Sequence, residues 1–222
     1  VAGAKVSVIT GGPGVGKTYT IRRIIEQLRD DQPDALVALA APTGKAAARM
    51  TESLGDGSLT ALTLHKLLDK LPGSMSRFRH RADNPLPHDV VIVDEMSMVS
   101  MVMMSRLLLA LKPSARLIMV GDPDQLSSVD AGSVLADITR APAASGIVAR
   151  LTRNYRFSGA IADLANAIRT GDAETACALL RAGHGVTLVS AGDGPPLVAE
   201  RVVATGATLH AAASAGDAAG AL

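Results

Sequence analysis

Residues 6–18 read V-S-V-I-T-G-G-P-G-V-G-K-T: a short buried strand, a glycine-rich turn and the opening of a helix. Gly11, Gly12, Pro13, Gly14, Val15, Gly16, Lys17 and Thr18 complete the pattern G-x-x-x-x-G-K-T. Glycines let the backbone turn tightly enough for successive N–H groups to point into one phosphate. The helix that starts near Lys17 adds its positive N-terminal end. Lys17 has the reach for the β- and γ-phosphates, and the Thr18 hydroxyl is placed to ligate Mg²⁺. The stretch specifies a triphosphate site without saying what its energy is used for.

Outward from this loop the chain alternates two patterns. Ile21, Ile24, Ile25 and Leu28 fall at i, i+3, i+4, i+7 within a helix expected over Thr18–Arg29. The same spacing recurs at Leu64/Leu67/Leu68/Leu71, Met104/Leu107/Leu108/Leu111 and Ile161/Leu164/Ala165/Ile168. Between them lie apolar runs of strand length, Leu36–Ala41, Val90–Val93, Leu117–Val120 and Gly146–Leu151. One-sided helices alternating with fully apolar strands predict an α/β fold, a parallel sheet sandwiched between helices. From about Ser190 the composition drifts to Ala and Gly, the pattern of one or two weak helices or a linker.

Asp94-Glu95 follows the run Val90–Val93, where ligands bind in such sheets. Asp94 would hold Mg²⁺ and Glu95 would orient and deprotonate an attacking water; a solvated acidic turn is the alternative. Gln125, in the polar turn after Leu117–Val120, would lie beside the same crevice, although a simple Asp-Pro-Asp loop fits equally well. Thr43, Gly44 and Lys45 stand at another strand-to-helix junction, suited to a nucleic-acid phosphate or equally to a capped helix with a solvated lysine. Arg153 and Arg156 follow the last strand, either as γ-phosphate contacts or as a basic turn. The densest basic cluster, Arg77-Phe78-Arg79-His80-Arg81, lies in a long connection from Leu71 to Asp89, and suits nucleic acid or a solvated loop.

A net charge of +1 leaves any basic surface local. With two Phe, two Tyr and no Trp, the core must be aliphatic. The single cysteine, Cys177, excludes an internal disulfide, fits a reducing, cytoplasmic setting, and reads as a small buried apolar residue. The five histidines have no metal-ligand spacing. No apolar run reaches the ~18 residues that would span a bilayer, so no membrane association is expected. Val1, without a preceding Met and just upstream of a strand, suggests an excised piece.

Six blocks then stand in order: G-G-P-G-V-G-K-T (11–18), A-P-T-G-K-A-A (41–47), L-T-L-H-K-L-L (62–68), V-I-V-D-E-M-S-M-V (91–99), G-D-P-D-Q-L (121–126) and L-T-R-N-Y-R-F (151–157). Together they resemble superfamily 1 DNA helicases of the RecD type, the family of the exodeoxyribonuclease V α subunit, over residues 5–185. The resemblance implies a P-loop NTPase (RecA-like) motor domain over residues 1–190, with a small inserted hairpin within 71–89 and a tail at 191–222. It implies ATP and Mg²⁺ as cofactors, γ-phosphate contacts from Gln125 and Arg156, and single-stranded DNA contacts from Thr43, Gly44, Lys45, Thr63 and His65. It gives some weight to Phe78 and Arg79 as DNA-facing. It also implies two larger helicase–nuclease partner subunits and a role in DNA recombination and repair. A stand-alone RecD-like helicase, a conjugative relaxase helicase, or a nucleotide-dependent binding module would carry much the same blocks. Ser127-Ser128 stands where relatives often have Pro-Ser, and neither a second motor domain nor the usual adenine-contacting glutamine segment is seen. The expectation is one wall of an ATP-closing clamp, binding nucleotide weakly and unwinding nothing by itself.

Overall fold

The structure, a computed structural model, describes residues 4–55, 57, 59–74, 77–125, 134–155, 159–186, 188–190 and 192–215. The chain divides into two compact units, Val1–Phe157 and Ser158–Leu222.

The first unit is a six-stranded sheet made of β1 (Val6–Thr10), β2 (Val37–Ala41), β3 (Leu62–Thr63), β4 (Val90–Val93), β5 (Arg116–Gly121) and β6 (Val148–Arg150), in the order β3-β2-β4-β5-β1-β6. Every pairing is parallel. Its helices are α1 (Lys17–Asp31), α2 (Gly44–Leu54), α3 (Leu64–Leu67), α4 (Met101–Ala110) and α5 (Val134–Arg140). Alternate strand residues serve two cores, which is why the strands read as continuous apolar runs. Val8, Ala40, Val91, Val93, Leu117 and Met119 pack with α3, α4 and α5. Ile9, Leu39, Val90, Ile92, Ile118 and Val120 pack with Ile21 and Ile25 of α1 and Met50 of α2. The expected α/β sandwich is therefore present; β3 is an addition, at two residues too short to give a pattern.

The apolar stripes are resolved in detail. α3 is a single turn, because Asp69 turns left-handed (φ 54°) and sends the chain into the following hairpin; Leu64, Leu67 and Leu68 are nonetheless buried. On α4 the buried side chains are Met104, Leu107 and Ala110, while Leu108 is 47% exposed. That helix, M-V-M-M-S-R-L-L-L-A, is apolar nearly all round, so spacing alone fits more than one face and packing selects among them.

The second unit holds α6 (Ala160–Thr170), α7 (Ala173–Ala182) and α8 (Gly194–Ser214). Gly171 ends α6 in a left-handed turn (φ 74°), and the Asp172 side chain caps α7 by accepting the Thr175 N–H at 3.0 Å. Small side chains, Ala167 and Ala176, are the buried positions of this helical pair. The expected stripe on α6 is not buried: Ile161 and Ile168 are 47% and 66% exposed. Cys177 is exposed as well, one residue (about 100° of helix turn) beyond Ala176. Pro195 and Pro196 lie in the first turn of α8, where the missing N–H costs nothing. Among the described residues no helix is long and apolar enough to cross a membrane.

The two leucines of α4 give a direct check on this packing. Leu107→Ala should cost about 2–5 kcal/mol in chemical denaturation, and Leu108→Ala less than about 0.5 kcal/mol. Equal losses would contradict the assigned face.

Candidate functional site

A parallel sheet delivers the C-terminal ends of all its strands to one edge. Here those ends lead into 11–16, 42–43, the start of α3 at Thr63, 94–95, 122–125 and 151–155.

The turn after β1 is set by close backbone approach. The Gly11 N–H donates to the Gly121 carbonyl at 3.3 Å, and Leu151 N–H donates to the Thr10 carbonyl at 2.7 Å. A Cβ at Gly11 would fall 2.7 Å from the Leu151 carbonyl oxygen and 2.6 Å from Val15 Cγ2, so no side chain fits. Gly14 and Gly16 are left-handed, with φ 80° and 85°, which reverses the chain into α1. Val15 is buried beneath the turn, while Gly12, Pro13 and Thr18 reach its surface. Lys17 Nζ lies inside the loop, donating to the carbonyls of Gly11 (2.7 Å) and Gly12 (3.0 Å).

The segment after β6 braces the same loop from outside. Tyr155 N–H donates to the Gly14 carbonyl at 2.8 Å, and Asn154 Nδ2 donates to the Pro13 carbonyl at 3.2 Å. The Arg153 guanidinium lies 5.1 Å over the Tyr155 ring. Sequence reading took this segment only for its arginines; the bracing by Asn154 and Tyr155 was invisible because it joins positions 141 residues apart. Arg156 lies outside the described residues.

β4 ends in the acidic pair. Asp94 N–H donates to the Ala40 carbonyl at 2.9 Å, and Asp94 Oδ1 accepts the Glu95 N–H at 2.8 Å. Burial pushes the Asp94 carboxyl above its ordinary value of 3.8; the Glu95 N–H opposes the shift, the Glu95 charge adds to it and the Lys17 charge opposes it. Lys17 and Asp94 are thus brought within electrostatic reach. Glu95 itself is left-handed at φ 54°, a conformation that costs a non-glycine residue roughly 1 kcal/mol or more. A partly buried carboxylate and a strained glutamate side by side are costs that packing alone would not select.

β5 brings a residue the sequence reading passed over. Asp122 is 4% exposed, and its side chain accepts the Asp124 N–H at 3.1 Å. The signal was available: β5, like β4, is an apolar strand closed by an aspartate. Gln125 is exposed in the turn that follows, its N–H donating to the Asp122 carbonyl at 3.2 Å.

At the other flank, β2 pairs with β3 so that Ala41 lies opposite Thr63. Two helices therefore start side by side. Thr43 Oγ1 accepts the Ala46 N–H and Thr63 Oγ1 accepts the Lys66 N–H, both at 3.2 Å. Both threonines are helix caps. Gly44, Lys45 and His65 are exposed beside them. Phe78 is not: at 5% exposure it belongs to the core with Leu64, Leu68 and Leu107. Arg79 is paired with Asp69 at 2.7 Å.

Among the described residues no group of three or more His, Cys, Asp or Glu is placed to hold a metal. A hydroxyl and a carboxylate beside a phosphate-shaped loop are nonetheless donors of the kind Mg²⁺ takes when phosphate oxygens and water complete its shell.

The profile of the AAA domain family matches residues 1–131. The chain belongs to the AAA domain family. Its similarity to RecD proteins, expected from the motif order, is found: it is 50% identical over 196 residues to the RecBCD enzyme subunit RecD of Mycolicibacterium smegmatis, covering 80% of this chain and 35% of that protein. It is 44% identical over 159 residues to the ATP-dependent RecD2 DNA helicase of Deinococcus radiodurans, covering 70% of this chain and 20% of that one. The chain thus spans about a third or less of these relatives. The solved Pif1 helicase of Candida albicans shares the fold, with a TM-score of 0.50 at 22% identity over 80% of this chain and 44% of that one. The AAA domain described here is a P-loop NTPase fold.

The electrostatics of this AAA domain give a signed expectation. A carboxyl whose folded pKa is raised above its unfolded value loses stability as pH rises through that window. Asp94→Asn, which keeps an oxygen for the Glu95 N–H, should therefore raise the melting temperature at pH 7 without nucleotide, and the gain should shrink as pH falls towards 3.8. A variant less stable than the parent at pH 7 would contradict the cost assigned to Asp94.

Proposed function

We propose that this AAA domain is an ATP-driven motor domain of a DNA helicase, serving in a RecBCD-type assembly for DNA recombination and repair. The observation that carries the proposal is spatial. The phosphate loop, the acidic pair and the two exposed helix starts bearing Lys45 and His65 all emerge from one edge of one sheet. The relatives' names point the same way: one is a RecBCD subunit, the other an ATP-dependent DNA helicase.

The residues divide the work as follows. The loop Gly11–Thr18, through the backbone N–H groups of Gly14 to Thr18, and the Lys17 ammonium hold the triphosphate. The Thr18 hydroxyl and Asp94 hold Mg²⁺. Bound Mg²⁺·ATP supplies the phosphoanhydride whose hydrolysis drives movement. Glu95, held by the Asp94 hydrogen bond to its N–H, accepts a proton from the attacking water. Gln125, in the turn hinged on Asp122, reads the γ-phosphate end, together with Arg156. Thr43 and Thr63 fix the helix starts from which Gly44, Lys45 and His65 contact a single strand of DNA. Two larger subunits would flank the parent protein; the similarity to RecD2 supports a second reading, a helicase without them, which co-purification of the native parent distinguishes.

In the full-length protein, Glu95→Gln should lower DNA-stimulated ATP hydrolysis by about 10²–10⁴-fold while keeping nucleotide binding, and Lys17→Ala should abolish hydrolysis. Steady-state ATPase assays with and without single-stranded DNA make the test; full activity in either variant would contradict the assigned roles.

A further inference from the structure

The chain beyond α3 folds back on itself as a small hairpin. Leu71 N–H donates to the Arg77 carbonyl at 3.1 Å, Arg79 N–H to Asp69 at 2.9 Å and His80 N–H to Leu68 at 3.1 Å. This pairing drives the Phe78 ring into the core, where it cannot stack on a base. Two basic side chains pack against it: the His65 ring, tilted at 45° with its centroid 5.9 Å away, and the Arg106 guanidinium from α4, 5.4 Å over the ring. The ring acts as a spacer that holds Arg106 in position.

Arg77, His80 and Arg81 of the hairpin line a cavity of about 130 Å³ together with Phe78 and with Arg106 and Leu109 of α4. Arg81 is held by a short ion pair with Asp83, and His80 Nδ1 lies 3.3 Å from the Asn84 carbonyl. Arg77 and Arg106 have no carboxylate partner among the described residues. Guanidinium groups on two facing walls repel one another across a partly desolvated notch, and an anion between them relieves that repulsion. The space is large enough for one oxyanion. Arginine forks on both walls suit a tetrahedral phosphate, whose oxygens point several ways, better than a planar carboxylate.

We propose that the notch between the hairpin and α4 holds one backbone phosphate of a nucleic-acid strand, extending the strand path from His65 around the Phe78 ring to Arg77 and Arg106. This rests on the reading of Lys45 and His65 as strand contacts. Arg106, which no sequence pattern marks, becomes a contact residue; Phe78 becomes a positioning residue.

The test is fluorescence anisotropy of the 222-residue chain with labelled oligo-dT across a salt series. Arg77→Gln, at an exposed position outside the core, should weaken binding and lower the salt slope by about 0.7, the value for one phosphate on a single strand. Arg77→Lys should restore most of the slope, and Arg106→Gln should repeat the loss with the melting temperature retained. Lys45→Ala serves as the control for the underlying reading. If Lys45→Ala weakens binding and the notch variants do not, the notch is wrong and the strand path stands. An unchanged slope with loss of poly-glutamate peptide binding would assign the notch to an acidic protein segment and overturn the proposal. Failure of the unaltered chain to bind oligo-dT would overturn both.

Discussion

Thr10 stands opposite Gly121 in the β1–β5 ladder, and one residue further on the Gly11 N–H still reaches the Gly121 carbonyl. That register puts the phosphate loop and the β5 turn at the same level of the sheet edge. It works only without side chains at the crossing points. A Cβ at Gly11 would meet Leu151, and one at Gly121 would fall 2.7 Å from Leu135 and 3.1 Å from the Met96 nitrogen. The second of these lies in the turn just after Glu95, so close packing at Gly121 ties the acidic pair to β5 as the Gly11 approach ties the loop to β6. One constraint, backbone against backbone at the ends of parallel strands, brings four turns together at one edge of the sheet.

The same edge concentrates destabilising features. Asp94 is a carboxylate pushed towards neutrality by burial, Glu95 is left-handed, and the Ser97 hydroxyl is buried with no hydrogen-bond partner among the described residues. At the opposite edge Lys112 pairs with Asp89 at 2.7 Å and the partly exposed Asp89 also accepts the Leu36 N–H, while the neighbouring His88 Nδ1 is buried with no hydrogen-bond partner among the described residues.

What the sequence made legible was local or repeated. Gly11–Thr18, the apolar runs and Asp94-Glu95 each carry their signal within a few residues, and the two-sided burial of the strands makes them unmistakable. What escaped was decided by partners far along the chain. Phe78 looked like a ring available to DNA until hairpin pairing with Asp69 turned it inward. Leu108 and Ile168 satisfy a helical stripe yet face outward, because spacing does not say which neighbour arrives. Asn154, Tyr155, Asp122 and Arg106 gain their meaning only from what they touch, and Thr63, read as a strand contact, is first of all a helix cap, as Thr43 is by the alternative its sequence already offered.

In the function proposed above, three turns from separate strands close on a single nucleotide. Hydrogen exchange of the chain, with and without Mg²⁺ and a non-hydrolysable ATP analogue, tests it most directly. The account predicts slowed exchange at residues 11–18 together with 94–97 and 152–155, dependent on Mg²⁺, and no change at the far edge around 112–116. Protection confined to one turn, or independent of Mg²⁺, would contradict it.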